Sequence, residues 1–161
     1  MELAIRLDPL HDPRIAAFLQ EHLADMHRVT PPESVHALDL AALRQPGIQF
    51  WTAWTTPPDA EALVATAALK RLDAEHAEHA ELKSMRTTAA LRGRGIAARM
   101  LAHVIAQARA QGFSRLSLET GTQPYFRSAR MLYAKCGFAE CAPFDTYQAD
   151  PYSFFMSMRL S

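Results

Sequence analysis

The residues best suited to chemistry lie in one stretch, Glu81-Leu82-Lys83-Ser84-Met85-Arg86-Thr87, followed after a short gap by Arg92-Gly93-Arg94-Gly95-Ile96-Ala97-Ala98. Two glycines at a helix start let the backbone approach a ligand closely. The free N–H groups of a first helical turn carry partial positive charge and suit an anion, especially a pyrophosphate. Arg92 and Arg94 add formal charge, and Arg99 follows one turn later. A glycine-containing turn with solvated arginines is the plainer alternative.

Two common phosphate-binding patterns fit poorly. The pattern of glycine, four residues, then Gly-Lys-Ser/Thr is absent. Gly93-x-Gly95-x-x-Ala98 matches a relaxed dinucleotide fingerprint, with Glu119 at a plausible distance for a ribose contact. That fingerprint follows its strand almost directly, whereas Thr88 to Arg92 intervene here.

The flanking sequence predicts the elements that must position this stretch. Leu3, Ile5 and Leu7 alternate with polar neighbours, as in a half-buried strand. Asp12-Pro13 opens a helix carrying Ile15, Phe18, Leu19, Leu23 and Met26, and Pro31-Pro32 breaks it. Glu33 to Gln45 reads as a second helix, ended by Pro46-Gly47. Strands are expected over Ile48–Thr55, Ala62–Leu69 and Ala80–Thr87, with loops at Thr55–Asp59 and Asp73–Ala80. A helix from Gly95 to Gly112, a strand at Leu116–Thr120, a helix at Ser128–Cys136 and strands at Phe138–Ala142 and Ser153–Leu160 follow. Adjacent strands imply antiparallel hairpins, and the strand–helix–strand unit from 80 to 121 implies a parallel pair. The expected fold is α/β, a mixed, mostly antiparallel central sheet flanked by helices. Phe50, Trp51 and Trp54 read as core.

Composition narrows the function. The 161 residues suit one domain, 1–161, able to bury roughly 70% of its unfolded surface without a disulfide or metal. Seventeen Lys and Arg balance seventeen Asp and Glu, which argues against a general nucleic-acid binder. No segment approaches the ~18 apolar residues of a membrane span, and the start has no signal-peptide pattern. Cys136 and Cys141 fit no common zinc spacing and read as reduced thiols of a cytoplasmic protein. His22 and His27 are five apart, on different helix faces, so a metal shared with Asp25 is not expected. His76 and His79 read as solvated residues flanking a hairpin.

Arg-x-x-Gly-x-Ala at 92–97 resembles the acetyl-CoA pyrophosphate loop of the GNAT superfamily of N-acetyltransferases, Gln/Arg-x-x-Gly-x-Gly/Ala. Ala129-x-x-Leu132-Tyr133-x-Lys135-x-Gly137-Phe138 resembles the helix-to-strand ending of that family, and the element order over the whole chain is similar. Glu81 to Met85, Leu118 to Gly121, Pro143-Phe144 and Ser153 to Met156 resemble small bacterial acetyltransferases.

The resemblance implies an acyl-CoA N-acyltransferase fold in which the strand before the loop splays from its parallel neighbour. Met85, Arg86 and Thr87 would pair through their backbones with the pantetheine arm of acetyl-CoA. The Met85 N–H would face the thioester oxygen. The N–H groups of Arg92, Gly93, Arg94, Gly95, Ile96, Ala97 and Ala98 would hold the pyrophosphate. Tyr133 matches the tyrosine that protonates the departing sulfur, its phenol pKa near ~10 lying above a thiol near ~8.5. Glu81, eleven residues before Arg92, lies where some members place a general base, on the strand face shared with Met85 by alternation. Glu119 and Thr120 end the facing strand; they line the acceptor pocket, or Glu119 is the alternative base, or they form a plain polar strand end, and an exposed strand-edge role for Glu81 also stays open.

Met26, His27, Thr30, Glu33, His36, Asp145, Thr146, Tyr147 and Ser153 are acceptor-pocket candidates. A covalent route through Cys136 is disfavoured by its place at a helix end. The expected activity is acetyl transfer to a small-molecule primary amine in a ternary complex, by a monomer or homodimer without metal, nucleic acid or membrane partner. A protein or peptide acetyltransferase and a non-catalytic acetyl-CoA sensor remain as alternatives.

Overall fold

Alternating apolar residues and helical stripes resolve into one seven-stranded sheet in a computed structural model, which describes residues 2–56, 61–72 and 78–161. The strands are β1 (Leu3–Leu7), β2 (Ile48–Thr55), β3 (Ala62–Arg71), β4 (His79–Thr87), β5 (Arg115–Gly121), β6 (Ala139–Glu140) and β7 (Ser153–Arg159). Their order is β1-β2-β3-β4-β5-β7-β6. Only β4 and β5 are parallel; every other pair is antiparallel. Positions 57–60 and 73–77 of the two expected loops, His76 among them, lie outside the described residues.

Helices cover both faces. α1 (Pro13–Val29) starts where the Asp12 side chain accepts the Arg14 N–H at 2.8 Å. Its buried Ile15, Phe18 and Leu19 recur at helical spacing. Ile15 and Leu19 join Phe50, Trp54 and Ala68 in one apolar cluster. α3 (Ile96–Ala110) buries Met100, Leu101, Val104, Ile105 and Ala108 against Trp51, Ala67, Leu82, Leu116 and Leu118 on the other face. α4 (Arg127–Lys135) joins that side through Tyr133. Phe50 and Trp51 therefore lie in the core, on opposite faces as period two requires.

The second expected helix shrinks to α2 (Leu40–Leu43), preceded by a 3₁₀ turn at Pro32–Ser34. Asp39 starts α2 by accepting the Ala42 N–H at 2.9 Å. Tertiary contacts claim the residues before it. Ser34 Oγ donates to Asp150 Oδ2 at 2.7 Å, and His36 meets the Tyr147 ring edge-on at 5.0 Å. The expected strand at 138–142 likewise reduces to Ala139 and Glu140, which pair with Ser157 and Met156. The chain then leaves the sheet at Pro143 to form the segment that carries Tyr147.

A β-bulge corrects the expected face of Met85. Ala68 pairs with Lys83 and Thr66 with Arg86, so Ser84 and Met85 together face Ala67. Ser84 takes a left-handed φ of 54°, and its carbonyl accepts the Thr66 hydroxyl at 2.8 Å. The extra residue resets the alternation. Glu81, Lys83 and Arg86 share one face, while Met85 packs against the α3-side cluster with Ala80 and Leu82.

Candidate active site

The parallel pairing of β4 and β5 lasts only three residues, His79–Glu81 with Arg115–Ser117. Beyond it, Leu82–Thr87 and Leu118–Gly121 part and line a cleft of about 550 Å³. The α3 N-terminus borders the same cleft. Gly93 and Gly95 hold φ of 81° and 78°, conformations that favour glycine. Gly95 is the cap residue and offers no side chain, and the first intrahelical bond runs from Arg99 N to Gly95 O at 3.1 Å. The N–H groups of Ile96, Ala97 and Ala98 thus have no acceptor within the helix. Arg92, Gly93, Gly95, Ile96, Ala97 and Ala98 line the cleft, whereas Arg94 is exposed and does not.

Among the described residues, apart from its chain neighbours, nothing lies within 4 Å of the place a Cβ at Gly95 would take, so substitution there tests backbone conformation and not space. Gly95→Ala is expected to cost about 1–2 kcal/mol of stability and to weaken acetyl-CoA binding at least tenfold. Calorimetric titration beside a denaturant curve checks both; unchanged affinity counts against anion binding at this turn.

The Arg86 side chain holds α1. Its Nη1 donates to Asp25 Oδ2 at 2.8 Å, its Nη2 lies 3.6 Å from Glu21 Oε2, and its guanidinium sits 5.4 Å from the Phe18 ring centre. The Arg86 hydrogen bond holds the Asp25 carboxyl below the usual carboxylate range. Burial, reinforced by Arg86, pushes His22 down to about 4, so it is neutral at pH 7. Asp25 is thus engaged by arginine. No group of three His, Cys, Asp or Glu placed to hold a metal ion occurs among the described residues.

Glu81 is the deepest charge of the site. It is 1% exposed, which excludes the exposed strand-edge role. Its Oε2 accepts the Tyr147 hydroxyl at 2.6 Å and lies 3.2 Å from Lys83 Nζ, which in turn donates to Tyr147 Oη at 2.8 Å. Tyr147 arrives from the segment between β6 and β7, held by edge contacts with Phe144 and His36. Burial first, then the Glu81 charge, raises the Tyr147 phenol far above its ordinary value. Nothing in the local sequence signals this triangle. Lys83 is legible only as the next residue on the Glu81 face.

Glu119 stands on β5 two residues past Ser117, the last residue paired with β4, and lines the cleft. Burial is the main cause lifting its carboxyl to about 7, against the pull of the Ser153 hydroxyl and the Lys83 charge. Tyr133, 7% exposed, lines the same cleft from α4. Burial, then the Glu119 charge, holds its phenol above the usual value, so it keeps its proton at neutral pH.

The acceptor candidates divide. Met26, Thr30 and His36 line the cleft. Glu33, Asp145, Thr146 and Tyr147 line an adjoining cavity of about 450 Å³ that shares His36, Glu81 and Lys83 with it. His27 is exposed and borders neither. Ser153 pairs with Gly121 at the β7 start but is not part of either wall. Tyr125 and Tyr152, absent from the sequence-based candidates, line the cleft.

A sheet split between two parallel strands, with a helix N-terminus and a buried tyrosine at the split, defines an acyl-CoA N-acyltransferase architecture. Residues 15–138 match the profile of the acetyltransferase (GNAT) family, and the chain belongs to that family. It is 44% identical over 156 residues to the uncharacterized N-acetyltransferase YsnE of Bacillus subtilis (strain 168), covering 97% of this chain and 99% of that one. It is 37% identical to the IAA acetyltransferase of Azospirillum brasilense, over 96% of this chain and 95% of that protein. A GNAT-family acetyltransferase from Staphylococcus aureus Mu50 shares the fold, with a TM-score of 0.75 at 21% identity over 99% of this chain and 100% of that one. The protein is therefore an N-acetyltransferase. No helix among the described residues is long and apolar enough to cross a membrane.

Proposed function

We propose that the enzyme moves the acetyl group of acetyl-CoA to a primary amine of a small molecule, by direct attack within a ternary complex. One observation carries this reading. A single cleft runs from the left-handed glycine turn, along the freed edge of β4, to the carboxylates and the buried phenol.

The residues present fit acetyl-CoA. The N–H groups of Ile96, Ala97 and Ala98, with the turn at Gly93 and Gly95 and the Arg92 guanidinium, suit a pyrophosphate. The backbone of Met85, Arg86 and Thr87 borders the splay and can extend along a pantetheine arm as an added strand does. The Met85 N–H is assigned to the thioester oxygen. Acetyl-CoA supplies the activated acetyl thioester. Tyr133 Oη supplies the proton for the sulfur, and a cleft carboxylate takes the proton from the amine.

The lining of the cleft favours a small acceptor. Met26 and Thr30 of the α1 end, Val35 to Ala37, and Tyr152 border the same cleft as the two carboxylates, and their bulk suits a compact amine. Thiol release from acetyl-CoA, screened with pooled aliphatic amines, amino acids, peptides and IAA, tests the proposal. IAA joins the panel because of the name of the Azospirillum relative. Turnover with a small amine and none with peptides is expected. Turnover with peptides alone overturns the small-acceptor reading, and acetyl-CoA binding without any turnover supports a sensor instead.

A further inference from the structure

Two carboxylates border the cleft at the split in the sheet, and the structure equips them differently. Glu81 has one oxygen, Oε2, occupied by both the Tyr147 hydroxyl and the Lys83 ammonium. Its side chain is 2% exposed, so a substrate nitrogen has almost no surface to reach. Glu119 is half-buried on the cleft wall, just past the last β4–β5 pair. Among the described residues no Lys, Arg or His comes within 4 Å of its carboxylate. Tyr133 stands on the same cleft and is close enough to feel the Glu119 charge.

We propose that Glu119 is the catalytic residue that takes the amine proton, and that Glu81 is a positioning residue, locked with Lys83 and Tyr147 to hold β4 against the segment between β6 and β7. The proposal rests on the amine-acetylation reading above. An incoming ammonium gives one proton to a Glu119 oxygen, which frees the nitrogen lone pair. The C–N bond forms as the C–S bond breaks, and Tyr133 gives its proton to the sulfur. The nitrogen then loses a second proton, which offsets the one Tyr133 gave, and Glu119 returns its proton to water. One proton is released in all, and nothing is oxidised or reduced.

The groups facing Glu119 set its working range. They are Glu81 and Lys83 from β4, Tyr147 and Asp150 from the segment between β6 and β7, Ser153 from β7, and Tyr133 from α4. Burial dominates and lifts the carboxyl to about 7, near the pH at which a general base works well.

The test compares wild type, Glu119→Gln and Glu81→Gln in thiol release with the amine that turns over fastest in the panel. In wild type, kcat/KM should rise through about pH 7 and then level off below the amine pKa. In Glu119→Gln only free amine reacts, so the rate should fall at least ~100-fold at pH 7 and climb about tenfold per pH unit. Glu81→Gln should keep the wild-type limb. Retention of that limb in Glu119→Gln, or its loss in Glu81→Gln alone, overturns the proposal.

A second arm needs no acceptor. A carboxyl whose pKa is raised on folding destabilises the fold as pH rises from its unfolded value toward 7. Glu119→Gln should therefore melt several degrees above wild type at pH 8, with the gap closing by pH 4. A gap that does not change with pH overturns the poised carboxyl. Absence of turnover with every pool, beside a normal melting pattern, sinks the amine reading and the role of Glu119 with it, and the melting arm tells the two failures apart.

Discussion

Tyr133→Phe should lower kcat by about 10²–10³-fold while acetyl-CoA binds as tightly as to wild type. The substitution removes one oxygen from a side chain that is 7% exposed and leaves the ring, with its edge contact to Phe138 at 5.8 Å, in place. Folding and affinity should therefore be spared. The proton is what is lost. Burial and the Glu119 charge hold the Tyr133 phenol above its ordinary value, so wild type carries that proton throughout the assay range. In the proposed reaction a departing thiolate, whose conjugate acid has a pKa near ~8.5, would draw the proton from it only as negative charge develops. The defect should thus shrink with acetyl thioesters of more acidic thiols, whose thiolates need less help to leave. Single-turnover rates beside calorimetric affinities check this. A loss of affinity equal to the loss of rate would make Tyr133 a binding residue.

Glu81→Ala should destabilise the fold by about 3–5 kcal/mol, the range found when one partner of a buried ion pair is removed. Lys83, with a side chain 8% exposed, would be left with only the Tyr147 hydroxyl beside it. Tyr147 would lose the oxygen to which it donates at 2.6 Å. Glu81→Gln keeps an acceptor for both donors and should cost roughly 1–3 kcal/mol. Adding Lys83→Met to Glu81→Ala removes the stranded cation and should recover much of the loss, since apolar replacement of a whole buried pair is often near neutral. Urea denaturation of the four proteins measures these differences. A Glu81→Ala variant within ~1 kcal/mol of wild type would mean that the triangle holds nothing together.

Most of the scaffold was legible because its signals are local. The alternation at Leu3–Leu7, the Asp12-Pro13 cap and the apolar stripe of α3 each follow from backbone geometry within a few residues. Glu33–Gln45 misled for the opposite reason. Its spacing permits a helix, but Ser34 and His36 are claimed by Asp150 and Tyr147, more than a hundred residues away. The bulge at Ser84 was equally hidden, because one extra residue leaves no mark in a pattern of period two and yet reverses the face of Met85.

The sequence by itself determined the family, the order of elements, the glycine turn at the start of α3 and the place of Tyr133, all carried by short contiguous patterns. Tertiary structure alone decided which carboxylate is tied into a buried ion pair. Glu81 and Glu119 are the same residue type on neighbouring strands. They differ because a tyrosine 66 residues from Glu81 reaches back to occupy it, while the split in the sheet leaves Glu119 on the cleft wall. Burial and hydrogen bonding to distant side chains set the availability of a carboxylate, and neither is a property of its neighbours in sequence.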